Sequence, residues 1–229
     1  FRRTPSARPA WADCFPCIIG GSGRGGWSRQ NGGLPNDDRI SIGSTVNENN
    51  NAKEKPDNEV GDQRGLYVAL LHYPVLKKDR EVITTSLTPI DLHDISRTCL
   101  TYGVKEYGVI NPLPTMQYLA KRVTEFWHAG FGKEYNPTRW DAFRIVGVYG
   151  ILDEFREKIE KENGEPPVLV ATTARKWEKT IGFGELRQWL TQPGPPILLL
   201  FGSGWGLTEE FLRSCDWVLP PITGMGEYN

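Results

Sequence analysis

Residues 197–207 read ILLLFGSGWGL: five apolar side chains in a row, then glycine at every second position, Gly202, Gly204 and Gly206. A short continuous apolar run of this kind fits a strand covered on both faces, as in a parallel sheet. The glycines after it let the backbone bend tightly and approach a ligand, leaving main-chain N–H and C=O groups free to hold it. Strand, bend and helix in this order make one unit of an α/β fold, and strands and helices alternate from Leu66 onward.

Upstream, Leu66–Tyr73 (LYVALLHY) is a second apolar run, closed by Pro74. After a polar loop, Thr88-Pro89-Ile90-Asp91 has the form of a capping box with Asp in place of Glu. Leu92, Ile95 and Cys99 then recur at helical spacing until Gly103. Tyr107–Ile110 reads as a strand, followed by a helix with Met116, Leu119, Ala120, Val123, Phe126 and Trp127 on a core-facing stripe. Asn136-Pro137 reads as the cap of one long helix that carries Trp140, Phe143, Gly147, Ile151, Phe155 and Ile159 inward as far as Asn163-Gly164. Val168–Ala171 is a strand and Phe183–Leu190 a helix; after the opening stretch come a helix over Leu207–Arg213 and a strand over Trp217–Leu219. This alternation predicts an α/β domain of residues 64–229, a parallel sheet with flanking helices and right-handed crossovers.

Residues 1–63 read differently. The stretch 20–33 is GGSGRGGWSRQNGG and 46–62 is dominated by Asn, Glu, Asp and Lys, which cannot offset the entropy of ordering, so a disordered arm is expected. Arg24, Trp27 and Arg29 are types that stack on RNA bases, although with just two arginines in the tract a plain linker is the better reading. Cys14-Phe15-Pro16-Cys17 has the spacing of half a zinc site, but no second CxxC or His pair completes it, so no metal is expected.

A formal net charge of -1 and a pI near 6.4 leave no general attraction to nucleic acid, so an RNA partner would need a local basic patch. Arg139, Arg144, Lys176 and Lys179 are candidates for one. Four scattered cysteines and no secretory segment suggest a cytoplasmic protein. The longest apolar run falls far short of the roughly 20 residues that span a bilayer.

Ligands of parallel sheets sit beyond the carboxyl ends of the strands. Three segments occupy such positions: 201–207, 219–226 (LPPITGMG) and 171–175 (ATTAR). A Walker loop would need Gly-Lys-Ser/Thr where Gly206-Leu207-Thr208 stands, and a dinucleotide fingerprint would need strands beyond those that follow Gly206. The helix from Pro89 presents Asp91, His93, Asp94 and Arg97, either an acid/base and phosphate-binding set or a solvated face with an Asp94–Arg97 pair. His72 and His128 read as structural.

LYVALLHYPVL, TTSLTPIDLHDISRTCLTYGV, LLLFGSGWGL and VLPPITGMGEYN, in this order, resemble the SPOUT (α/β-knot) superfamily. They are most similar to a bacterial family of S-adenosylmethionine-dependent RNA methyltransferases sometimes fused behind a tRNA guanine-N1 methyltransferase. The resemblance implies a trefoil-knotted α/β fold, a homodimer, a tRNA or rRNA substrate, and S-adenosylmethionine as cofactor. It implies cofactor contacts from Thr172, Thr173, Phe201, Gly202, Ser203, Gly204, Gly206, Leu219, Ile222 and Gly224. Arg97 matches a functional arginine of the superfamily's first motif, with His93 and Asp91 as candidate acid/base partners. The family continues past Tyr228-Asn229 into a helix that closes the knot at the dimer interface, so a chain ending here is expected to bind cofactor weakly. The alternatives are an RNA-binding module of the same fold without catalysis, or a nucleotide-binding α/β protein.

Overall fold

The computed structural model describes residues 64–129 and 131–225; the arm and Cys14/Cys17 lie outside them. Strand β1 is Leu66–Leu71, and the short β2 (Val75–Leu76) and β3 (Val82–Ile83) form an antiparallel hairpin in what reads as a polar loop. Helix α1, Pro89–Thr101, opens with the expected box: Thr88 Oγ1 accepts the Asp91 N–H, and the Asp91 carboxylate accepts the Thr88 N–H at 2.8 Å. There follow β4 (Glu106–Ile110), α2 (Pro114–His128), α3 (Phe131–Tyr135), α4 (Pro137–Phe143), β5 (Val146–Tyr149) and α5 (Leu152–Asn163). The chain continues through β6 (Val168–Thr172), α6 (Phe183–Leu190), β7 (Ile197–Gly202), α7 (Glu209–Ser214) and β8 (Trp217–Leu219).

Six strands pair in the order β5-β4-β1-β7-β6-β8, every pairing parallel. The period-two alternation of β1 and β7 explains how both faces are covered. Tyr67, Ala69, Leu71, Leu198 and Leu200 pack with Phe155 and Ile159 of α5 and Leu212 of α7. Val68 and Leu70 face the other way, onto Leu92, Cys99, Ala120, Trp127 and Phe143. Helix α6 covers that second face further along, with Leu186 against Val170, Ile197 and Leu219.

The expected long helix from Asn136 is in fact two helices with a strand between them. Phe143, Gly147, Ile151, Phe155 and Ile159 are each four residues apart, which imitates one helical stripe, but Val146–Tyr149 is a β-branched and aromatic run that pairs with Tyr107–Ile110. Gly147 belongs to that strand: a Cβ there would meet the Glu106 carboxylate and the Tyr149 ring at 2.3 and 2.6 Å. The stripe of α2 is also narrower than expected. Ala120, Thr124 and Trp127 are buried, while Leu119 and Phe126 are 40% and 53% exposed. Helix α7 starts at Glu209 instead of Leu207, because Thr208 caps it and Leu207 bridges back to Val75.

The last strand has an unusual neighbour. Val218 of β8 faces Ala171 of β6 on one edge and Thr180 on the other, where the Ile181 N–H donates to the Val218 carbonyl at 3.0 Å. The connection leaving β6 packs Trp177 on the α5/α7 face, pairs with the edge of β8, and reappears as α6 on the opposite face. It therefore wraps around β8, the type of crossing a knotted α/β fold requires.

Candidate cofactor site

Parallel pairing places the carboxyl ends of β7, β6 and β8 side by side. Ala171 pairs with Leu200, and Thr172 with Leu219, so Thr172, Phe201 and Leu219 stand in adjoining positions at one sheet edge. All three segments singled out from the sequence leave from that edge. The Thr172 hydroxyl donates to the Leu200 carbonyl at 3.0 Å, and Thr173 Oγ1 accepts the Arg175 N–H at 3.2 Å, turning the chain. Arg175 then donates from Nη2 to the Leu207 carbonyl at 2.7 Å and pairs with Glu209 at 3.3 Å, tying the loop after β6 to the end of the glycine segment.

The glycine loop needs its glycines. Gly204 and Gly206 have φ of 59° and 88°, the left-handed region that costs a residue with a Cβ roughly 1–2 kcal/mol. A Cβ on Gly204 would also stand 3.0 Å from the Leu76 carbonyl. Three of its amides, however, are not free as the sequence suggests. Those of Ser203, Trp205 and Gly206 donate to the carbonyls of Leu71, Leu76 and Ser203, and the Leu76 N–H donates back to Gly206. The loop is a folded unit locked to the β2–β3 hairpin, not an open cradle.

What this edge offers outward is apolar: Phe201 is 38%, Trp205 64% and Ile222 72% exposed. Such surfaces suit an adenine ring and a methionine chain, and Arg175, the cation tied to this loop, is engaged by Leu207 and Glu209, so the described residues fit S-adenosylmethionine better than a dinucleotide. Phe201 and Gly202 also stand at one end of an apolar groove of about 560 Å3 that runs between α1 and the sheet past Leu70, Leu199, Ile95 and Tyr102.

The three residues selected on α1 are arranged differently. The Asp91 carboxylate is engaged in the helix cap and its carbonyl accepts the Tyr107 hydroxyl at 3.0 Å. His93 is wedged edge-on between Phe143 and Trp127, with centroids 4.8 and 5.8 Å away. Arg97, one turn on, is exposed, and no ion pair to Asp94 forms. Among the described residues no hydrogen bond, ion pair or ring contact joins these side chains to the glycine loop. The four basic candidates fall into two groups. Arg139 and Arg144 stand over Trp127 and Trp140 beside α4, whereas Lys176 and Lys179 line a pocket at the β8 edge, Lys179 over Trp217. His128 serves the fold, bonded to the Phe143 carbonyl at 2.8 Å. His72 and Thr85 touch the glycine loop through Ser203; Thr85 lies inside a stretch that carries the family resemblance, but no spacing singles it out as a site residue. No group of three or more His, Cys, Asp or Glu positioned for a metal occurs among the described residues, and none of their helices is long and apolar enough to cross a membrane.

Burial lowers the pKa of His72, against a smaller opposing pull from Asp91. Burial lowers that of His93 as well, with Arg139 and Arg97 in the same direction and Asp94 against. Below the ordinary histidine value of 6.5 the unfolded chain therefore takes up protons that the folded one refuses. Stability present above about pH 6.5 is lost as the pH falls below it. Thermal melts between about pH 8 and 5 are expected to show this fall; a melting temperature that rises on acidification contradicts it.

Fold and edge together define a parallel α/β protein whose last three strands end side by side. The model of a SAM-dependent RNA methyltransferase family matches residues 65–229. An uncharacterized protein of Aquifex aeolicus is 36% identical over 164 residues, covering 72% of this chain and 80% of its own length. A tRNA (guanine-N(1)-)-methyltransferase of Oleidesulfovibrio alaskensis is 37% identical over 166 residues, covering 72% of this chain but only 38% of that protein. Among solved structures, an AdoMet-bound rRNA methyltransferase from Sinorhizobium meliloti aligns over 73% of this chain and 51% of its own, with 17% identity and a TM-score of 0.41. The chain belongs to the SAM-dependent RNA methyltransferase family, whose cofactor is S-adenosylmethionine.

Proposed function

We propose that this protein methylates a nucleotide of tRNA or rRNA, with the cofactor held by Thr172, Thr173, Phe201, Gly202, Ser203, Gly204, Gly206, Leu219, Ile222 and Gly224. The observation that carries the reading is the register that brings the ends of β6, β7 and β8 to one edge. When bound, the cofactor supplies a sulfonium methyl group to a lone pair on the acceptor. The chain's own part is orientation: Phe201 and Ile222 offer apolar surface, and the bent backbone of the glycine loop fixes where that surface lies. Arg97, exposed and without an acidic partner, is the α1 residue best placed to hold an RNA phosphate or position the acceptor. His93 and Asp91, engaged in the aromatic cluster and the helix cap, are weaker candidates for acid/base work. Two copies pair in this reading, and such a substrate sets the work in the cytoplasm.

The second reading, an RNA-binding module without catalysis, is favoured by one observation: the amides of Ser203, Trp205 and Gly206 and the Asp91 carboxylate already have partners. Full-length protein incubated with methyl-labelled S-adenosylmethionine and bulk cellular RNA separates the two. Label entering RNA, and lost in Arg97→Ala, is the expected result. RNA retention with no label would favour the module.

A further inference from the structure

The carboxyl end of β1 carries a side-chain network of which the cofactor reading uses only Ser203. His72 has no exposed surface. Its Nδ1 lies 3.0 Å from Thr85 Oγ1, and Thr85 Oγ1 lies 2.5 Å from Ser203 Oγ. The Ser203 hydroxyl donates to the Leu71 carbonyl at 3.1 Å. We propose that His72, acting through Thr85 and Ser203, is a positioning residue that holds the glycine loop in the shape that receives the methyl donor. The inference rests on the reading of that loop as the cofactor site and extends it to residues in the β2–β3 hairpin region.

Counting hydrogens fixes the direction of the network. A carbonyl only accepts, and at 3.1 Å Leu71 is nearer to Ser203 Oγ than His72 Nδ1 at 3.5 Å, so the single hydroxyl hydrogen of Ser203 goes to Leu71. Ser203 Oγ must then accept from Thr85, whose own hydrogen is thereby used. Thr85 Oγ1 can consequently only accept from His72, so the imidazole carries its proton on Nδ1. This leaves Nε2 as a lone pair, and Nε2 is indeed the one buried polar atom of His72 with no partner among the described residues. An unmet acceptor is a smaller penalty than an unmet N–H donor.

Thr85 is fixed from three further directions. Its N–H donates to the His72 carbonyl at 3.0 Å, its carbonyl accepts from Asn111 Nδ2 at 3.2 Å, and its methyl group stands 3.4 Å from where a Cβ on Gly204 would lie. It therefore touches both Ser203 and Gly204 while being anchored to β1 and to the end of β4. Removing its hydroxyl leaves Ser203 Oγ without its donor and loosens the Ser203 side of the loop, while the backbone bonds to Leu71 and Leu76 remain.

The test uses the full-length protein and S-adenosylmethionine. Long-range 15N–1H spectra of the His72 imidazole are expected to show Nδ1 protonated and Nε2 bare; this needs no variant, and a proton on Nε2 would overturn the inference. Calorimetric titration of Thr85→Val is expected to give about tenfold weaker cofactor binding, a loss of about 1.4 kcal/mol. Thr85→Ser, which keeps the hydroxyl, is expected to restore it, and in turnover assays the loss falls on KM for the cofactor more than on kcat. Wild-type binding in Thr85→Val, or equal weakening in Thr85→Ser and Thr85→Val, overturns the positioning role alone. A wild-type protein that takes up no cofactor at any concentration overturns the cofactor reading and this inference with it.

Discussion

Replacing Gly204 by valine is expected to abolish methyl transfer while leaving the protein folded. The residue sits at φ 59°, where a β-branched side chain is strained by roughly 1–2 kcal/mol. Its new Cβ would lie 3.0 Å from the Leu76 carbonyl, a backbone atom that cannot swing away. The loop must then leave the hairpin, breaking the Trp205–Leu76 and Leu76–Gly206 hydrogen bonds of 2.9 and 2.8 Å. Cofactor affinity should drop by at least about tenfold, or about 1.4 kcal/mol. Gly184→Ala is the control. Gly184 lies in α6 with nothing within 4 Å of an added Cβ, and alanine is the better helix former, so binding and stability should hold or improve. Equal cofactor affinity in Gly204→Val and wild type would refute the role assigned to the loop.

The largest effect on stability is expected from Phe155→Ala. Phe155 is fully buried, stacks on Tyr149 with centroids 4.8 Å apart, and meets Tyr67 edge-on at 6.2 Å. It also fills the space above Gly108, where a Cβ would collide with its ring at 2.6 Å. Aromatic-to-alanine changes in such sites cost about 3–5 kcal/mol. Against a total stability of roughly 5–15 kcal/mol, urea denaturation should register a loss of about a fifth or more. A change below about 1 kcal/mol would mean that α5 does not anchor the sheet as its contacts indicate.

Both predictions draw on features that the sequence displays unevenly. The buried strands were legible because their apolar runs are continuous: LYVALL and ILLLF pair with each other at the centre of the sheet. Edge elements were harder to read. Val146–Tyr149 has one neighbour and half-buried side chains, so its four residues offered no alternation to set against the spacing of Phe143, Ile151 and Phe155. The β2–β3 hairpin is two residues per strand, too short for any period to register.

The candidate site divides in the same way. Glycine spacing marked the loop, since only glycine adopts the angles found at 204 and 206 without strain. Convergence of the 172, 201 and 219 segments followed from parallel strands sharing one carboxyl edge. The destinations of the loop's amides did not follow, because their acceptors, Leu71 and Leu76, lie more than a hundred residues earlier in the chain. Likewise nothing in the spacing of His93 and Arg97 announces that one enters an aromatic cluster while the other faces solvent.

The most direct test of the cofactor site is amide chemical-shift mapping of the isotope-labelled protein during addition of S-adenosylmethionine. The largest shifts should fall on Thr172, Thr173, Gly202 through Gly206, Leu219 and Gly224, with β5 and α4 unmoved. Shifts confined to α1, α4 and β5, with the glycine loop silent, would contradict the site and return its edge to a purely structural role.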